Sequence, residues 1–293
     1  MKEITFNGWN AVELSNEHLQ LIVTKSVGPR LISLKGKEGR EFMFHHPDQK
    51  GVKGGEKWNI FGGHRLWHSP EVEPRTYAPD NDPVEIIPLN GGIVARQAVE
   101  KSTGLRKEIE IIVHPTQPVI ELVHRTYNDN PWDVEFSNWC LTVLAAGGKA
   151  YVPFEGRIRT NKYLNDRVMT VWPYTDLSDK RGFFAKDFVT IKQETQCNGP
   201  YKLGFSANAG WAAYALGNEV LIKNVSPQTL GAEVYPDDNS GLEIYTCDMF
   251  LELETLSPLK KVAPGFALVH KETWTVLPLS SSDPRVKAVN AAL

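Results

Sequence analysis

The sequence predicts an all-β protein of antiparallel strands, arranged as a sandwich or a barrel. Apolar and polar residues alternate with a period of two over more than ten short segments, and Gly, Pro, Asn and Asp separate these segments. Aromatic residues, which favour strands, are abundant, with 8 Trp, 9 Tyr and 12 Phe. No long stretch has the spacing of an amphipathic helix, so a parallel sheet with alternating helices is not expected.

The strand pattern recurs along the whole chain. The segments Leu105–Val113 and Val119–Tyr127 follow each other closely across Pro115, and we expect them to pair as an antiparallel hairpin. In chain order the other predicted strands are His18–Thr24, Arg30–Leu34, Ile93–Glu100, Val134–Leu144, Val168–Trp172, Phe188–Gln193, Val220–Asn224, Leu242–Tyr245, Met249–Leu256 and Leu268–Leu277.

One short helix is predicted at the end of the sequence. Ser282 or Asp283 can cap it, Pro284 suits its first turn, and Val286 to Ala292 tolerate helical geometry. We expect this helix to dock against the sheets rather than to carry function. No linker, composition break or internal repeat divides the chain, so residues 1–293 are predicted to form a single domain.

Composition and charge exclude several classes of protein. The 32 Lys and Arg residues nearly balance the 35 Asp and Glu residues, which leaves a formal charge of −3 and gives no sign of nucleic-acid or membrane-surface binding. No apolar run reaches the roughly 18 residues of a membrane span, and no signal peptide is recognised. Three widely separated cysteines fit a reducing compartment. We therefore expect a cytoplasmic protein with a small-molecule partner; the oligomeric state is not indicated.

The familiar nucleotide and hydrolase motifs are not found in the sequence. It has no P-loop, no G-x-G-x-x-G after a strand, no G-x-S-x-G and no H-E-x-x-H. Their absence disfavours nucleotide-driven, serine-hydrolase and zinc-protease chemistry, and no cofactor and no metal is expected.

The segment FGGHRLWHSPE at 61–71 concentrates chemically useful groups. It lies in the longest irregular stretch, 47–82, and long ordered loops are disproportionately functional. We interpret it as a loop that carries a site, with a solvated surface loop as the alternative. A zinc site on its two histidines is disfavoured, because the flanking glycines and proline oppose the helix that their spacing needs. The candidate residues of this loop are His64, Arg65, Trp67, His68 and Glu71.

Two carboxylates share one face of the predicted strand Met249–Leu256. Alternation places Glu252 and Glu254 on the same side, between Phe250 and Leu256. Apolar neighbours raise the pKa of a carboxyl group toward the range of a general base. A solvated sheet face explains the same pattern equally well.

Other candidates are less specific. Trp139 is interpreted first as a core residue and second as a stacking platform for a sugar ring. Arg30 follows a Gly-Pro turn and could reach a cleft or pair with a surface acid, whereas Arg157 and Arg159 are more often solvated in such a pattern. The run Asp237–Gly241 is predicted to form a turn, with calcium binding as the alternative.

Three segments in succession resemble the galactose mutarotase-like (aldose 1-epimerase) superfamily. They are GPRLISL at 28–34, GGHRLW at 62–67, and LETL at 253–256, the last followed by APG at 263–265 and ETW at 272–274. Each motif is short, but their order and spacing extend over nearly the whole chain. The resemblance implies a large antiparallel β-supersandwich with a carbohydrate cleft on one sheet.

The resemblance also implies a mechanism. In that superfamily a Glu takes the proton of the anomeric hydroxyl while a His protonates the ring oxygen, and the sugar ring opens and closes on its other face. Glu254 matches the base by position. Trp139 stands where the catalytic His is expected, so His64 or His68 would have to act as the acid. The residues expected to hold the sugar are Arg30, Arg65, Trp67, Glu71, Trp139 and Glu252.

The sequence therefore predicts a carbohydrate-active protein that interconverts anomers of an aldose. A non-catalytic protein that binds or senses a sugar in the same cleft is the alternative. A glycosidase or lyase that uses Glu252 and Glu254 together is disfavoured, because hydrolytic carboxylates flank the bond from different elements.

Overall fold

Two antiparallel sheets account for most of the regular structure. The computed structural model describes residues 1–156, 163, 165–228 and 233–293. With the strands numbered along the chain, the spatial order of the first sheet is β1 (Lys2–Phe6), β2 (Trp9–Ser15), β3 (Gln20–Thr24), β4 (Arg30–Lys35), β5 (Gly63–Ser69), β10 (Val134–Leu144), β19 (Leu251–Leu256), β18 (Leu242–Thr246), β15 (Tyr201–Phe205) and β12 (Met169–Val171), and β20 (Lys260–Val262) pairs with β10.

The second sheet covers one face of the first. Because each strand alternates, the apolar residues of both sheets meet in one core, to which β19 contributes Leu251 and Leu253 and β21 contributes Trp274. The strands of the second sheet are β13 (Gly182–Phe184), β14 (Phe188–Lys192), β11 (Lys149–Pro153), β16 (Trp211–Leu216), β17 (Glu219–Asn224), β21 (Ala267–Pro278), β9 (Val119–Asn128), β8 (Leu105–Val113), β7 (Gly92–Arg96) and β6 (Glu85–Leu89).

This architecture confirms the predicted all-β antiparallel sandwich. The predicted hairpin is present, because β8 pairs with β9 in antiparallel register from Leu105 opposite Asn128 onward. A short 3-10 turn covers Pro47–Gln49, and none of the described helices is long and apolar enough to cross a membrane.

The C-terminal helix is also present, as α1 (Pro284–Ala292). The carboxylate of Asp283 caps it by accepting a 2.8 Å hydrogen bond from the Arg285 amide. Val286 and Val289 of the helix pack with Val220 and Ile222 on the outer face of the second sheet. The helix therefore docks as expected.

The segment Asp237–Gly241 contributes to a tight turn, as predicted. The helical turn Pro236–Asn239 holds Asp237, Asp238 and Asn239 at φ of 49°, 55° and 70°, the left-handed region that Asn and Asp tolerate. Arg157 and Arg159 lie outside the described residues.

The segment 61–71 is not a loop, and this prediction was wrong. Its residues 63–69 form β5, which pairs with β4 on one side and β10 on the other, in the middle of the first sheet. Gly62 and Gly63 lead into it at φ of 104° and 72°, and a Cβ on either would collide with the backbone of Phe44 or Leu31. Because both faces of β5 carry polar residues, the sequence shows no alternation there.

Candidate functional site

A cleft opens on the outer face of the first sheet, opposite the core. Its volume is about 450 Å³, within the range of small-molecule sites. Strands β5, β10, β19, β18 and β15 contribute floor residues, and loops contribute walls. The lining residues are Trp58, Ile60, Arg65, Trp67, Glu71, Tyr77, Trp139, Leu141, Trp172, Tyr174, Pro200, Lys202, Tyr245, Phe250, Glu252 and Glu254.

The register of the sheet aligns the charged residues of the floor. Arg65 of β5 lies opposite Leu141 of β10, Leu141 opposite Glu254 of β19, and Glu254 opposite Glu243 of β18. Residues directly opposite each other on neighbouring strands share a face of the sheet. One row across the sheet therefore brings a guanidinium and two carboxyl groups into the same region, next to Lys202 of β15.

Glu254 is fully buried at the bottom of the cleft. Its Oε2 accepts a 2.7 Å hydrogen bond from Trp139 Nε1 and a 3.2 Å hydrogen bond from Lys202 Nζ. Its Oε1 is also buried, and no described residue donates a hydrogen bond to it. One oxygen of this carboxylate is thus held in place, and the other has no hydrogen-bond donor in the described part of the chain.

Lys202 is held between two carboxyl groups and two indole rings. Its Nζ lies 2.6 Å from Glu243 Oε2, and 4.7 and 4.6 Å from the ring centres of Trp139 and Trp172. Burial lowers the pKa of Lys202, but Glu254 and Glu243 together raise it above its ordinary value. Burial raises the pKa of Glu243 well above its usual range, against the opposing effect of Lys202.

A second ion pair lies beside the first. Arg65 Nη2 donates a 3.1 Å hydrogen bond to Glu252 Oε1, and the guanidinium lies over the rings of Trp67 and Trp58, at 4.5 and 5.6 Å. Burial raises the pKa of Glu252, although Arg65 opposes this. Arg65 Nε and Nη1 and Trp58 Nε1 are buried donors that no described residue accepts from.

Aromatic rings form the walls. Trp67 contacts Trp139, Trp58 and Tyr77 edge-on or tilted, with ring centres 5.0 to 5.4 Å apart. The Tyr77 hydroxyl donates to Glu71 at the exposed rim. On the opposite side, burial raises the pKa of Tyr174 to about 12. The cleft thus combines apolar ring faces with a few buried charged groups.

Known proteins share this architecture at low sequence identity. No family model matches the sequence, and no curated protein does either. A solved galactose mutarotase-like protein from Lactobacillus casei superposes with a TM-score of 0.57 and 9% identity over 91% of this chain and 100% of its own. The fold is that of the galactose mutarotase-like proteins.

Two further solved structures agree with this assignment. A galactose mutarotase related enzyme from Lactobacillus acidophilus has a TM-score of 0.58 and 10% identity, over 93% of this chain and 98% of its own. A candidate aldose 1-epimerase from Klebsiella pneumoniae has a TM-score of 0.63 and 12% identity, over 97% of this chain and 83% of its own. The resemblance inferred from the sequence motifs is confirmed at the level of fold.

Within this galactose mutarotase-like fold, six of the nine predicted site residues line the cleft. They are Arg65, Trp67, Glu71, Trp139, Glu252 and Glu254. The face assignment of β19 agrees with the structure, since Glu252 and Glu254 point into the cleft while Leu251 and Leu253 point into the core.

Arg30 does not reach the cleft, contrary to expectation. Its fully buried guanidinium donates to the carbonyls of Ile60 and Gly62, at 3.0 and 2.6 Å, and pairs with Asp80 at 2.5 Å. Arg30 is not among the residues that line the cleft. Its place in the structure is to hold the turn that leads into β5.

His64 and His68 do not reach the cleft either, contrary to prediction. Arg65 and Trp67 face the cleft, so the alternation of β5 turns both histidines toward the second sheet. Both are buried, and among the described residues that line the cleft none is a histidine. The expected arrangement, with an imidazole across the cleft from Glu254, is therefore wrong.

The interior face of β5 joins a hydrogen-bond network between the sheets. Lys223 Nζ donates a 2.8 Å hydrogen bond to Thr142 Oγ1. Thr142 Oγ1 in turn lies 2.9 Å from His64 Nδ1, and His64 Nε2 lies 2.7 Å from His124 Nε2. Burial lowers the pKa of both histidines, so neutral rings complete this chain. His124 Nδ1 ends it by donating to the carbonyl of His270 at 3.2 Å.

Glu272 belongs to the same interior network. Lys223 Nζ lies 3.2 Å from its Oε1, and Trp274 Nε1 donates to its Oε2 at 2.6 Å. His64, His124 and Glu272 are close enough to hold a metal ion. However, the hydrogen bonds already use the ligand atoms, and Lys223 already balances the carboxylate. The network is thus a closed polar element of the core.

Sequence reasoning missed several lining residues, above all Lys202. In YKLGF at 201–205, Lys202 alternates with Tyr201, Leu203 and Phe205, which are buried in the core. A lysine at this position in an otherwise apolar strand indicates a second, polar face, and this signal was available. Trp58 and Trp172 lie in loops, where no periodicity reports the direction of a side chain.

Proposed function

We propose that this cleft binds a sugar and that Glu254 accepts the proton of its anomeric hydroxyl, which makes the protein an aldose 1-epimerase-like isomerase. The observation that carries the proposal is the unpartnered, buried Oε1 of Glu254 at the bottom of an aromatic cleft. A buried polar atom without a partner costs about 1–3 kcal/mol, and a ligand hydroxyl removes that cost.

The complementary donors support a polyhydroxylated ligand. Arg65 Nε, Arg65 Nη1 and Trp58 Nε1 are buried without acceptors in the described part of the chain. A sugar offers hydroxyl groups that both donate and accept, so it can satisfy Glu254 and these donors together. Trp67 and Trp139 offer indole surfaces to the apolar face of a pyranose ring. The names of the solved structures that share the fold point to the same class of ligand.

A sugar-binding protein without catalysis is the second candidate. The observation that favours it is the position of His64 and His68, which leaves Glu254 without the imidazole partner that the superfamily resemblance implies. Under this alternative the cleft and its aromatic walls are used for binding alone.

The exchange of anomers separates the two candidates. We expect the wild-type protein to accelerate the interconversion of the anomers of at least one aldose, measured by NMR magnetisation exchange or by polarimetry over a panel of sugars. Glu254→Gln is expected to lose about 10²-fold or more of that acceleration, because it removes a proton acceptor while keeping the shape. Glu121→Gln, at an exposed position of β9, is the matched control.

Three outcomes are distinguishable. Acceleration that Glu254→Gln loses and Glu121→Gln keeps supports the isomerase. Sugars that raise the melting temperature without any acceleration support binding alone. If no sugar changes either the exchange rate or the melting temperature, the cleft is not a sugar site.

A further inference from the structure

The proposed reaction needs a proton donor as well as an acceptor. When an aldose ring opens, the O–H bond of the anomeric hydroxyl breaks and its electron pair forms the carbonyl. The bond from the anomeric carbon to the ring oxygen breaks at the same time, and the ring oxygen takes up a proton. The buried histidines cannot supply this proton, so the donor has to come from the residues that line the cleft.

Most of the polar lining groups are unsuitable as donors. The Arg65 guanidinium does not give up a proton in proteins, and the indole N–H of Trp139 is already bonded to Glu254. Tyr77 donates to Glu71 at the rim. Among the remaining described groups, Lys202 is the one whose nitrogen contacts the candidate base directly.

The geometry of Lys202 suits the two oxygens involved. The anomeric hydroxyl oxygen and the ring oxygen are bonded to one carbon, so they lie side by side rather than on opposite edges of the ring. Lys202 Nζ and Glu254 Oε2 are 3.2 Å apart, and Glu254 Oε1 is unpartnered beside them. A donor and an acceptor placed together can therefore meet both oxygens at once.

We infer that Lys202 is the catalytic acid of the proposed anomer interconversion, and that it acts in one step with Glu254. Glu254 takes the proton of the anomeric hydroxyl while the Lys202 ammonium gives a proton to the ring oxygen, which leaves an open-chain aldehyde, a neutral carboxyl group and a neutral amine. After rotation about the bond between the first two carbons, the Glu254 carboxyl group gives its proton to the carbonyl oxygen and the Lys202 amine takes its proton back from the hydroxyl that was the ring oxygen, which closes the ring on its other face. This inference rests on the proposed function.

The charges around Lys202 support the coupling of the two transfers. The negative charge of Glu254 is a main reason why the ammonium holds its proton. When Glu254 becomes neutral by taking the hydroxyl proton, that attraction disappears, and Lys202 becomes a better donor at the moment the ring oxygen needs a proton. Glu243, 2.6 Å from Nζ, and the indoles of Trp139 and Trp172 keep the nitrogen in position throughout.

Lys202→Arg is the decisive variant, because it keeps the positive charge and removes the transferable proton. In an exchange assay we expect kcat to fall by about 10²-fold or more, with KM changed much less. Lys192→Arg, at an exposed position of β14, is the matched control and should keep the wild-type rate. Lys202→Ala should regain part of the rate when methylammonium is added, since a small amine can occupy the vacated position.

The results separate this inference from the proposed function. If the wild type accelerates exchange and Lys202→Arg keeps the full kcat, Lys202 is not the acid and Glu254 can still be the base. A lost rate in Tyr174→Phe together with an unchanged rate in Lys202→Arg would transfer the role to Tyr174 and equally overturn the inference. If the wild type shows no exchange with any aldose, both the isomerase function and the role of Lys202 fail. A Lys202→Ala variant that melts at the wild-type temperature and loses kcat without rescue by amines also counts against proton transfer by Lys202.

Discussion

The buried imidazole of His68 provides a quantitative test of how the interior face of β5 responds to pH. His68 is 1% exposed, and no described residue hydrogen-bonds to either ring nitrogen. Burial, with smaller effects of Lys107 and Arg75, lowers its pKa to about 2. We therefore expect His68→Leu to reduce the loss of stability on acidification, because leucine fills the site and does not titrate.

The size of the effect follows from the difference between the folded and unfolded states. In the unfolded chain a histidine has a pKa of about 6.5 and binds a proton as the pH falls, whereas the folded ring stays neutral until the pH approaches about 2. Stability is therefore fully present above about pH 6.5 and is lost progressively below it. Between pH 7 and pH 5 one such histidine removes about 2 kcal/mol of the free energy of unfolding.

Urea unfolding followed by tryptophan fluorescence at pH 7, 6 and 5 measures this quantity. The wild type should lose about 2 kcal/mol more than His68→Leu over this interval. His18→Gln, at a half-buried surface position, is the control for the loss of a histidine outside the core. If His68→Leu loses as much stability as the wild type, the unfolded and folded states do not differ in protonation at this position, and the reasoning is refuted.

Three further changes test other parts of the structure. Trp139→Phe keeps a ring in the wall but removes the hydrogen bond to Glu254, so we expect about a tenfold loss of exchange rate at nearly unchanged sugar affinity, and an unchanged rate would contradict the role of this bond. Gly63→Ala should lower the free energy of unfolding by about 2 kcal/mol or more, because the added Cβ would meet the backbone of β4. Gly39→Ala is the control: Gly39 has a similar positive φ but open space around it, so this change should cost about 1 kcal/mol. Equal losses in the two urea titrations would argue against the close approach at Gly63. Asp283→Ala should cost about 1 kcal/mol in the same titration through loss of the helix cap, and no change would show that α1 does not depend on it.

The sequence predicts those parts of the fold in which one face of a strand is apolar. β8, β9, β10 and β19 have long alternating runs, and their predicted bounds lie within two residues of the observed ones. The side-chain period of two also places Glu252 and Glu254 on the same face as the cleft.

β5 could not be recognised in this way. One of its faces carries Arg65 and Trp67 into the cleft, and the other carries His64 and His68 into a polar part of the core, so no apolar alternation remains. The strand is held by hydrogen bonds to β4 and β10, which pair with it on either side. Its formation therefore depends on residues far away in the sequence and not on the local pattern. For the same reason the sequence analysis placed His64 in the cleft, because the direction of its side chain depends on knowing that the segment is a strand.

Lys202 shows the complementary limit. Apolar and polar residues alternate along its strand, so the direction of its side chain can be predicted. The carboxyl groups that it pairs with are those of Glu243 and Glu254, about 40 and 50 residues later in the chain. Only the antiparallel order β15, β18, β19 brings the three together. Chemistry that depends on non-local pairing of this kind is not visible in a single sequence.

The residues that line the cleft come partly from strands and partly from the segments that connect them. The Lys202 and Glu254 pair is anchored on hydrogen-bonded strands, whereas Trp58 and Trp172 belong to connecting segments outside any strand. Insertions and replacements in such segments leave the sheet register untouched. Under the proposed function, changes in these connecting segments would therefore alter which sugar the cleft accepts, while Lys202 and Glu254 keep their positions on the sheet.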